Sequence, residues 1–261
     1  MKSFVKSVFE QVGLDVRRIP RSASKPAKGG LSFHRTALGD VYLPTDAPLD
    51  SIAYHMRRGT VFEPEVVATA RRFIKPGSTV LDVGSNFGQM AMLFAKDVGP
   101  TGKVYAFEAQ RRVHEILCKN ITANNLENIE AVYRAVYSES DRIFHFPEPD
   151  FERFAAFGSY NLPLDGKNGP EVVSLKIDDI EFSGPISFMK VDVQGCDLFA
   201  MQGATNTIKR FGMPILFEFE QRFQDEYKTD FQDYVEFVHS IGYRFAETVL
   251  DINFLIIPNA K

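Results

Sequence analysis

Four acidic residues come at or near the ends of short apolar runs, where buried strands would present them at one edge of a sheet. They are Asp82 in the run Thr79–Val83, Glu108 at the end of Lys103–Glu108, Asp192 at the end of Pro185–Asp192 and Glu218 within Pro214–Glu220. A buried carboxylate is costly unless it has a partner. An ammonium group or the hydroxyls of a ribose can be that partner, and a carboxylate beside an acceptor hydroxyl can take its proton. The four acids therefore predict a site for ligand binding and general base chemistry.

The first of these acids is followed by a glycine-rich turn. Gly84, Ser85, Asn86 and Gly88 lie between the strand and residues 89–96, whose pattern predicts a helix. A strand that runs through a glycine turn into a helix lets a ligand approach the backbone N–H groups at the helix N-terminus. The turn alone is also compatible with an ordinary strand-to-helix connection.

The spacing of the turn distinguishes between two nucleotide ligands. Gly88 comes four residues after Gly84, one fewer than in the dinucleotide motif G-x-G-x-x-G, and Asn86 replaces the middle glycine. The turn is similar to the D-x-G-x-N-x-G variant in methyltransferases that use S-adenosylmethionine (AdoMet), in which Asp82 would bind the methionine ammonium. Glu108 comes 24 residues after Gly84, near the spacing of about 20 expected for an acid that binds ribose hydroxyls. A solvated strand-end acid is the alternative interpretation of Glu108.

The composition is that of an ordinary globular protein. Of the 261 residues, 44% are hydrophobic and 25% charged, and the net charge is −4. That charge predicts no general attraction to nucleic acid. Cys118 and Cys196 form no C-x-x-C pair and predict reduced thiols in a cytoplasmic protein. We expect no transmembrane helix, since no apolar run approaches ~18 residues, and no secretory signal.

The first 30 residues differ in pattern from the rest. Residues 2–14 have apolar side chains at helical spacing, and residues 21–30 are rich in Ser, Lys, Pro and Gly. They predict an amphipathic helix and a basic linker over residues 1–30, ahead of one domain over residues 31–261. We expect the helix to pack on its own domain or on a second subunit of a homodimer. A peripheral membrane contact is the alternative, because basic amphipathic segments favour anionic surfaces.

Strand-like runs and helical patterns alternate through the remaining chain, which predicts a doubly wound α/β sheet with mainly parallel strands. Residues 129–136 predict one strand and residues 196–211 one helix. Residues 243–247 and 254–258 predict two closing strands. Residues 147–170, rich in Pro, Gly and Asp, predict a long functional loop.

Four motifs, in this order, resemble the FkbM-type methyltransferases. They are Phe62-Glu-Pro, Leu81-Asp-Val-Gly-Ser-Asn-Phe-Gly-Gln, Ala106-Phe-Glu and Met189-Lys-Val-Asp-Val-Gln-Gly-Cys-Asp. The resemblance runs from about residue 50 to the end of the sequence. It implies a class I, Rossmann-like AdoMet-dependent fold of seven strands, with the last strand antiparallel. It also implies methyl transfer to a hydroxyl, most often of a sugar or a polyketide.

The resemblance also implies where the cofactor binds, at the carboxyl ends of the first two strands of the fold. The predicted cofactor contacts are Asp82, Gly84, Ser85, Asn86, Phe87, Gly88, Glu108, Ala135 and Asp192. Ala135 is included because the end of the third strand contacts adenine in this fold. Gln194 departs from the family pattern, which commonly has Glu there, and we assign it no role as a base.

Asp192 is the first candidate for the general base and Glu218 the second, because both lie where the acceptor is expected. Capping of the following helix is the alternative role for Asp192. Glu220 lies on the same side of its strand as Glu218 and is assigned to the substrate, with a solvated acid as the alternative. Asp192 and Glu218 holding a divalent metal is a further alternative. Nothing in the sequence has metal-ligand spacing, and we predict no metal.

Tyr160 and Asn161 are the predicted acceptor contacts in the long loop, since aromatic faces stack on sugar rings and both side chains hydrogen-bond. Anchoring of that loop in the core is the alternative. The sequence thus predicts an O-methyltransferase acting on a sugar, a glycan or a related small molecule. A nucleic-acid methyltransferase is a competing function that the acidic balance disfavours. An AdoMet-binding module without catalysis is another, kept open by Gln194.

Overall fold

The computed structural model describes residues 30–148 and 157–260. The predicted amphipathic helix and nearly all of the predicted linker lie outside these ranges. The strands are β1 Leu31–Thr36, β2 Gly39–Pro44, β3 Thr79–Val83, β4 Lys103–Glu108, β5 Ile129–Tyr133, β6 Ala135–Val136, β7 Ile143–His145, β8 Glu171–Leu175, β9 Ile186–Val191, β10 Ile215–Glu218, β11 Tyr243–Val249 and β12 Asn253–Pro258. The helices are α1 Ser51–Arg57, α2 Pro64–Arg71, α3 Gln89–Val98, α4 Arg111–Ala123, α5 Asp197–Gln202, α6 Thr205–Phe211, α7 Gln224–Tyr227 and α8 Phe231–Ser240.

Seven of these strands form one sheet in the order β5–β4–β3–β9–β10–β12–β11. The pairs from β5 to β10 are parallel, and β12 is antiparallel to both of its neighbours. This confirms the predicted class I methyltransferase fold with its last strand antiparallel. The carboxyl ends of β3, β4, β9 and β10 consequently meet at one edge, where the four predicted acids come together.

Consecutive residues of the central strands enter two different apolar cores. Val80 of β3 and Phe188 of β9 pack in the core that contains the buried faces of α3 and α4. Leu81 and Met189, the next residue on each strand, pack in the core that contains those of α5, α6 and α8. Since side chains alternate across a strand, these runs are apolar on both faces because helices cover both sides of the sheet.

The predicted strand over residues 129–136 is divided into two strands. β5 ends at Tyr133, and the N–H of Arg134 donates to the carbonyl of Val132 at 3.0 Å in a tight turn. β6 then pairs in parallel with β8, in a separate sheet of order β6–β8–β7. The prediction of a single strand was wrong because an apolar run does not show which neighbour each of its residues pairs with.

The predicted helix over residues 196–211 is likewise two helices, α5 and α6. A Cβ atom on Gly203 would lie 2.0 Å from the carbonyl oxygen of Tyr137, so the chain passes that backbone closely between the two helices. The Asp178 carboxylate accepts the N–H groups of Asn206 at 3.0 Å and Thr207 at 2.7 Å in the first turn of α6. The prediction was wrong because apolar side chains at helical spacing continue across the break.

Two further observations concern the closing strands and the lengths of the helices. The closing strands β11 and β12 are present and slightly longer than predicted. Across residues 30–148 and 157–260, none of the helices has the length and apolar character required to cross a membrane.

Candidate active site

A cavity of about 310 Å³ opens at the carboxyl ends of β3, β4, β9 and β10. The structure brings ten of the predicted site residues to its wall: Asp82, Gly84, Ser85, Asn86, Glu108, Ala135, Tyr160, Asp192, Glu218 and Glu220. The other three predicted residues, Phe87, Gly88 and Asn161, do not line the cavity. The sheet topology explains why the predicted acids lie close together, because they are at or near the ends of strands that are adjacent and parallel in the sheet.

The three residues that do not reach the cavity shape its surroundings. Phe87 is fully buried and packs edge-on to Phe157, with ring centroids 5.4 Å apart. Gly88 faces Leu117, and a Cβ there would lie 2.5 Å from the leucine Cδ1. The Asn161 amide turns away and donates to the Tyr227 hydroxyl at 3.0 Å. Sequence spacing alone did not show these orientations.

The glycine turn approaches β9 so closely that it leaves no room for a side chain. Gly84 has φ of 84°, and a Cβ atom on it would lie 1.8 Å from the carbonyl oxygen of Asp192. Asn86 has φ of 49° and Gly88 has φ of 90°, after which α3 begins at Gln89. The turn therefore needs left-handed backbone and a missing Cβ, as expected where a ligand approaches the main chain.

Glu108 ties the glycine turn to the end of β4. Its Oε2 accepts the N–H of Asn86 at 2.9 Å and its Oε1 accepts the N–H of Gln110 at 2.8 Å. Burial raises the pKa of Glu108 to about 7, against the effect of these two hydrogen bonds. Each carboxylate oxygen has a second acceptor position, so the side chain can also accept the hydroxyls of a ribose.

Replacing Glu108 by Ala is expected to weaken binding of S-adenosylhomocysteine by about 1.5–3 kcal/mol, the scale of a hydrogen bond to a charged group. Calorimetry measures the affinity, with Glu115→Ala on the exposed surface of α4 as the matched control. A 2′,3′-dideoxy analogue separates ribose contact from loss of turn geometry. If removal of the ligand hydroxyls weakens binding equally in wild type and Glu108→Ala, the ribose assignment is wrong.

Lys190 on β9 is a buried cation at the floor of the cavity, with 5% of its side chain exposed. Its Nζ lies 3.1 Å from Oδ2 of Asp192 and 3.8 Å from Oδ1 of Asp82, and it donates to the Gly84 carbonyl at 3.4 Å. Burial lowers the pKa of Lys190, but the attraction of Asp192 and Asp82 outweighs it, and the net shift is upward. Lys190 is therefore charged at neutral pH.

Asp82 is fully buried, and neither of its carboxylate oxygens has a hydrogen-bond partner among the described residues. Burial raises the pKa of Asp82, while Lys190 opposes that shift. A buried carboxylate without hydrogen bonds is unfavourable. Its negative charge beside Gly84 favours a ligand that brings an ammonium group to this end of the cavity. AdoMet would be held in this way by Asp82, the turn at Gly84 and Asn86, and Glu108.

Asp192 and Glu218 are linked by one side chain, that of Gln194. Its Nε2 donates to Asp192 Oδ1 at 3.0 Å and to Glu218 Oε2 at 3.0 Å. Burial tends to raise the pKa of Asp192, but Lys190 and the Gln194 amide outweigh it and hold the pKa below its usual range. Burial and the Asp192 charge raise the pKa of Glu218 well above its usual range. Asp192 is therefore ionised at neutral pH, and Glu218 holds a proton more tightly than Asp192 does.

Sequence reasoning gave no site role to Lys190, Gln194 or Glu63, which also line this cavity. Lys190 and Gln194 lie within a motif that carried the family resemblance, and a lysine in a buried strand was itself a signal. Glu63, whose φ is 51°, lines the cavity just before α2, and burial together with Asp192 raises its pKa to about 7. Glu63 lies in the motif Phe62-Glu-Pro, but no spacing rule related it to the strand-end acids.

Within residues 30–148 and 157–260, no group of three or more His, Cys, Asp or Glu side chains is arranged to hold a metal ion. Asp82 and Asp192 instead form ion pairs with Lys190, and Asp192 and Glu218 accept hydrogen bonds from Gln194.

The sheet order, the glycine turn and the acid that ends β4 are together typical of the class I fold of AdoMet-dependent methyltransferases. The family model described as the methyltransferase FkbM domain matches residues 82–245, more than half of the 261 residues. The chain belongs to this family, and its cofactor is AdoMet.

Individual relatives are more distant. Protein-L-isoaspartate O-methyltransferase 1 of Arabidopsis thaliana is 27% identical over 160 residues, which cover 58% of this chain and 64% of that protein. The tRNA (adenine(58)-N(1))-methyltransferase catalytic subunit TRM61 of Cryptococcus neoformans is 31% identical over 71 residues, covering 27% of this chain and 16% of that one. The chain thus spans less than two thirds of the length of either curated relative.

Among solved structures, the FkbM methyltransferase from Methylobacillus flagellatus KT is similar with a TM-score of 0.44 and 16% identity. That match covers 73% of this chain and 49% of the other.

Proposed function

We propose that this methyltransferase transfers the methyl group of AdoMet to a hydroxyl of a sugar, a glycan or a related small molecule. The observation that carries the proposal is the carboxylate of Asp192, which lies on the cavity wall just after β9 and 3.1 Å from the Lys190 ammonium. Its side chain is 27% exposed, whereas those of the neighbouring Lys190 and Asp82 are 5% and 0% exposed. A base that is charged and accessible is what an alcohol acceptor requires, because its proton must leave as the new bond forms.

The chain's own residues divide the remaining tasks. When bound, AdoMet supplies a methyl group already activated by its sulfonium. Asp82, Gly84 and Glu108 fix the position of the cofactor, which contributes through proximity and alignment. Asp192 accepts the hydroxyl proton on a carboxylate oxygen, and Lys190 at 3.1 Å keeps that carboxylate ionised until then.

Tyr160, Glu63 and Glu220 also line the cavity, and we assign them to the acceptor. Tyr160 offers an aromatic face to a sugar ring and a hydroxyl for hydrogen bonding. The acids offer acceptor oxygens for several hydroxyl groups at once. This combination supports a polyhydroxylated acceptor over an apolar one.

The test is to incubate the full chain with methyl-labelled AdoMet and, separately, with pools of nucleotide sugars, glycans and RNA. We expect label in a sugar or glycan, with fragmentation placing the methyl on oxygen. Label in RNA with none in the sugar and glycan pools would replace the proposal with nucleic-acid methylation. AdoMet binding by calorimetry without label in any pool would favour a module without catalysis.

A further inference from the structure

The side chain of Gln194 is held in one orientation at the point where the two carboxyl groups meet. Its Oε1 accepts a hydrogen bond from Nη2 of Arg222 at 3.0 Å, while its Nε2 donates hydrogen bonds to Asp192 and Glu218. A guanidinium can only donate, so it must face the amide oxygen. The two N–H groups of the amide are thereby directed to the two acids, one to each.

The backbone around Gln194 is shaped to present this amide. Gln194 has φ of 51°, and Gly195, with φ of 90°, passes so near Phe223 that a Cβ there would lie 2.6 Å from the phenylalanine Cβ. The buried carboxylate of Asp197 closes the turn by accepting the N–H groups of Val193 at 3.3 Å and Gly195 at 3.1 Å. A non-glycine residue in left-handed conformation persists where the surroundings fix it, often at a functional site.

The two acids differ in their other contacts. Asp192 Oδ2 lies 3.1 Å from the Lys190 ammonium. Glu218 is 8% exposed, and no described cation forms an ion pair with it. Two carboxylates in one site cannot both ionise without strong repulsion. The proton of the pair therefore belongs on Glu218, away from the lysine.

We propose that Gln194 is a positioning residue that bridges the acids with a neutral amide, keeping Asp192 ionised and Glu218 protonated. The inference rests on the proposed function in one respect, that Asp192 is the base. A carboxylate at position 194 would offer no N–H donors and would add a third negative charge between the two acids. The neutral amide satisfies both acids without adding charge.

Other charged groups act on the same pair and must be held constant in a test. They are Lys190 on β9, Asp82 on β3, Glu108 at the end of β4, Glu63 before α2, Asp197 on α5, and Glu220 and Arg222 after β10. Substitution of Gln194 alone removes none of these groups; Arg222 loses its bond to Gln194 but keeps its bond to Glu220 at 2.7 Å.

The experiment is a pH titration of the side-chain carboxyls of the full chain by carbon-13 NMR, without cofactor or acceptor. Asp192→Asn and Glu218→Gln assign the two signals. We expect the Asp192 midpoint to rise by about one pH unit in Gln194→Met, because one hydrogen bond to the charged form is lost. Gln194→Gly should give the same shift, since glycine adopts the left-handed backbone without strain. Gln194→Glu should raise the midpoint further.

Gln202→Met on the exposed end of α5 is the matched control and should leave both midpoints in place. An Asp192 midpoint unchanged in both Gln194→Met and Gln194→Gly would overturn the inference. So would a wild-type titration in which Glu218 loses its proton before Asp192. Because the titration contains neither AdoMet nor acceptor, its result does not depend on whether the methyl group goes to a sugar.

Discussion

The Asp192→Asn variant is expected to lose turnover by about 10²–10⁴-fold, the contribution of a positioned general base. Asparagine keeps the shape of the side chain and can still accept from the Gln194 amide, but it cannot take a proton. The affinity for AdoMet should change far less, because the turn at Gly84 and Glu108 is untouched. Steady-state kinetics on the acceptor found in the labelled pools measures turnover, and calorimetry measures cofactor affinity.

The pH dependence of the same variant gives an independent readout. In the wild type, kcat/KM should fall as the pH decreases through the pKa of Asp192. That pKa lies below the usual range of an aspartate, because Lys190 and Gln194 outweigh burial. The falling limb therefore lies at low pH, and it should vanish in Asp192→Asn. Asp225→Asn, at an exposed position, is the control. It should keep both the wild-type turnover and the decrease of kcat/KM at low pH. Near-wild-type turnover in Asp192→Asn would make Glu218 the leading candidate for the base.

A large loss of stability is expected when Lys190 is replaced. Lys190→Met keeps an unbranched apolar side chain but removes the cation between Asp82 and Asp192. Since removal of one partner from a buried ion pair leaves an uncompensated charge, we expect the free energy of unfolding to fall by about 3–5 kcal/mol. Urea denaturation at neutral pH measures this loss. Lys209→Met, on the exposed face of α6, is the control and should have little effect.

A double variant shows whether the loss comes from the orphaned carboxylate. Lys190→Met combined with Asp82→Asn removes the cation together with the more deeply buried of its two partners. It should be more stable than Lys190→Met alone. Lowering the pH should also reduce the difference in free energy of unfolding between Lys190→Met and wild type, because protonation of the carboxylates removes their uncompensated charges. A loss below about 1 kcal/mol in Lys190→Met, the range of a solvent-exposed pair, would contradict a buried electrostatic role.

The gathering of the acids was predictable because parallel strands place their carboxyl ends at one edge. Asp82, Glu108 and Asp192 each lie at or near the end of a short apolar run, and a single rule of topology brings them together. The glycine turn was predictable for a similar reason, since Gly84 and Gly88 are spaced for one kind of ligand. These inferences needed only local pattern and strand order.

The features that the sequence did not predict depend on contacts between residues that are distant in the sequence. The break before α6 arises where Gly203 passes Tyr137, and no periodicity within residues 196–211 could show it. Asn161 turns to Tyr227, which lies on a short helix that the sequence analysis did not predict. The role of Gln194 depends on a left-handed turn and on Arg222 beyond the next strand, so its residue type alone was uninformative.

A crystal structure of the chain with S-adenosylhomocysteine bound would show directly how the cavity holds its ligand. We expect the ligand ammonium near Asp82, its ribose hydroxyls on Glu108 and its sulfur facing the part of the cavity that contains Asp192 and Tyr160. A complex in which the ribose lies away from Glu108, or in which the ligand sulfur faces away from Asp192, would show that the proposed site is wrong.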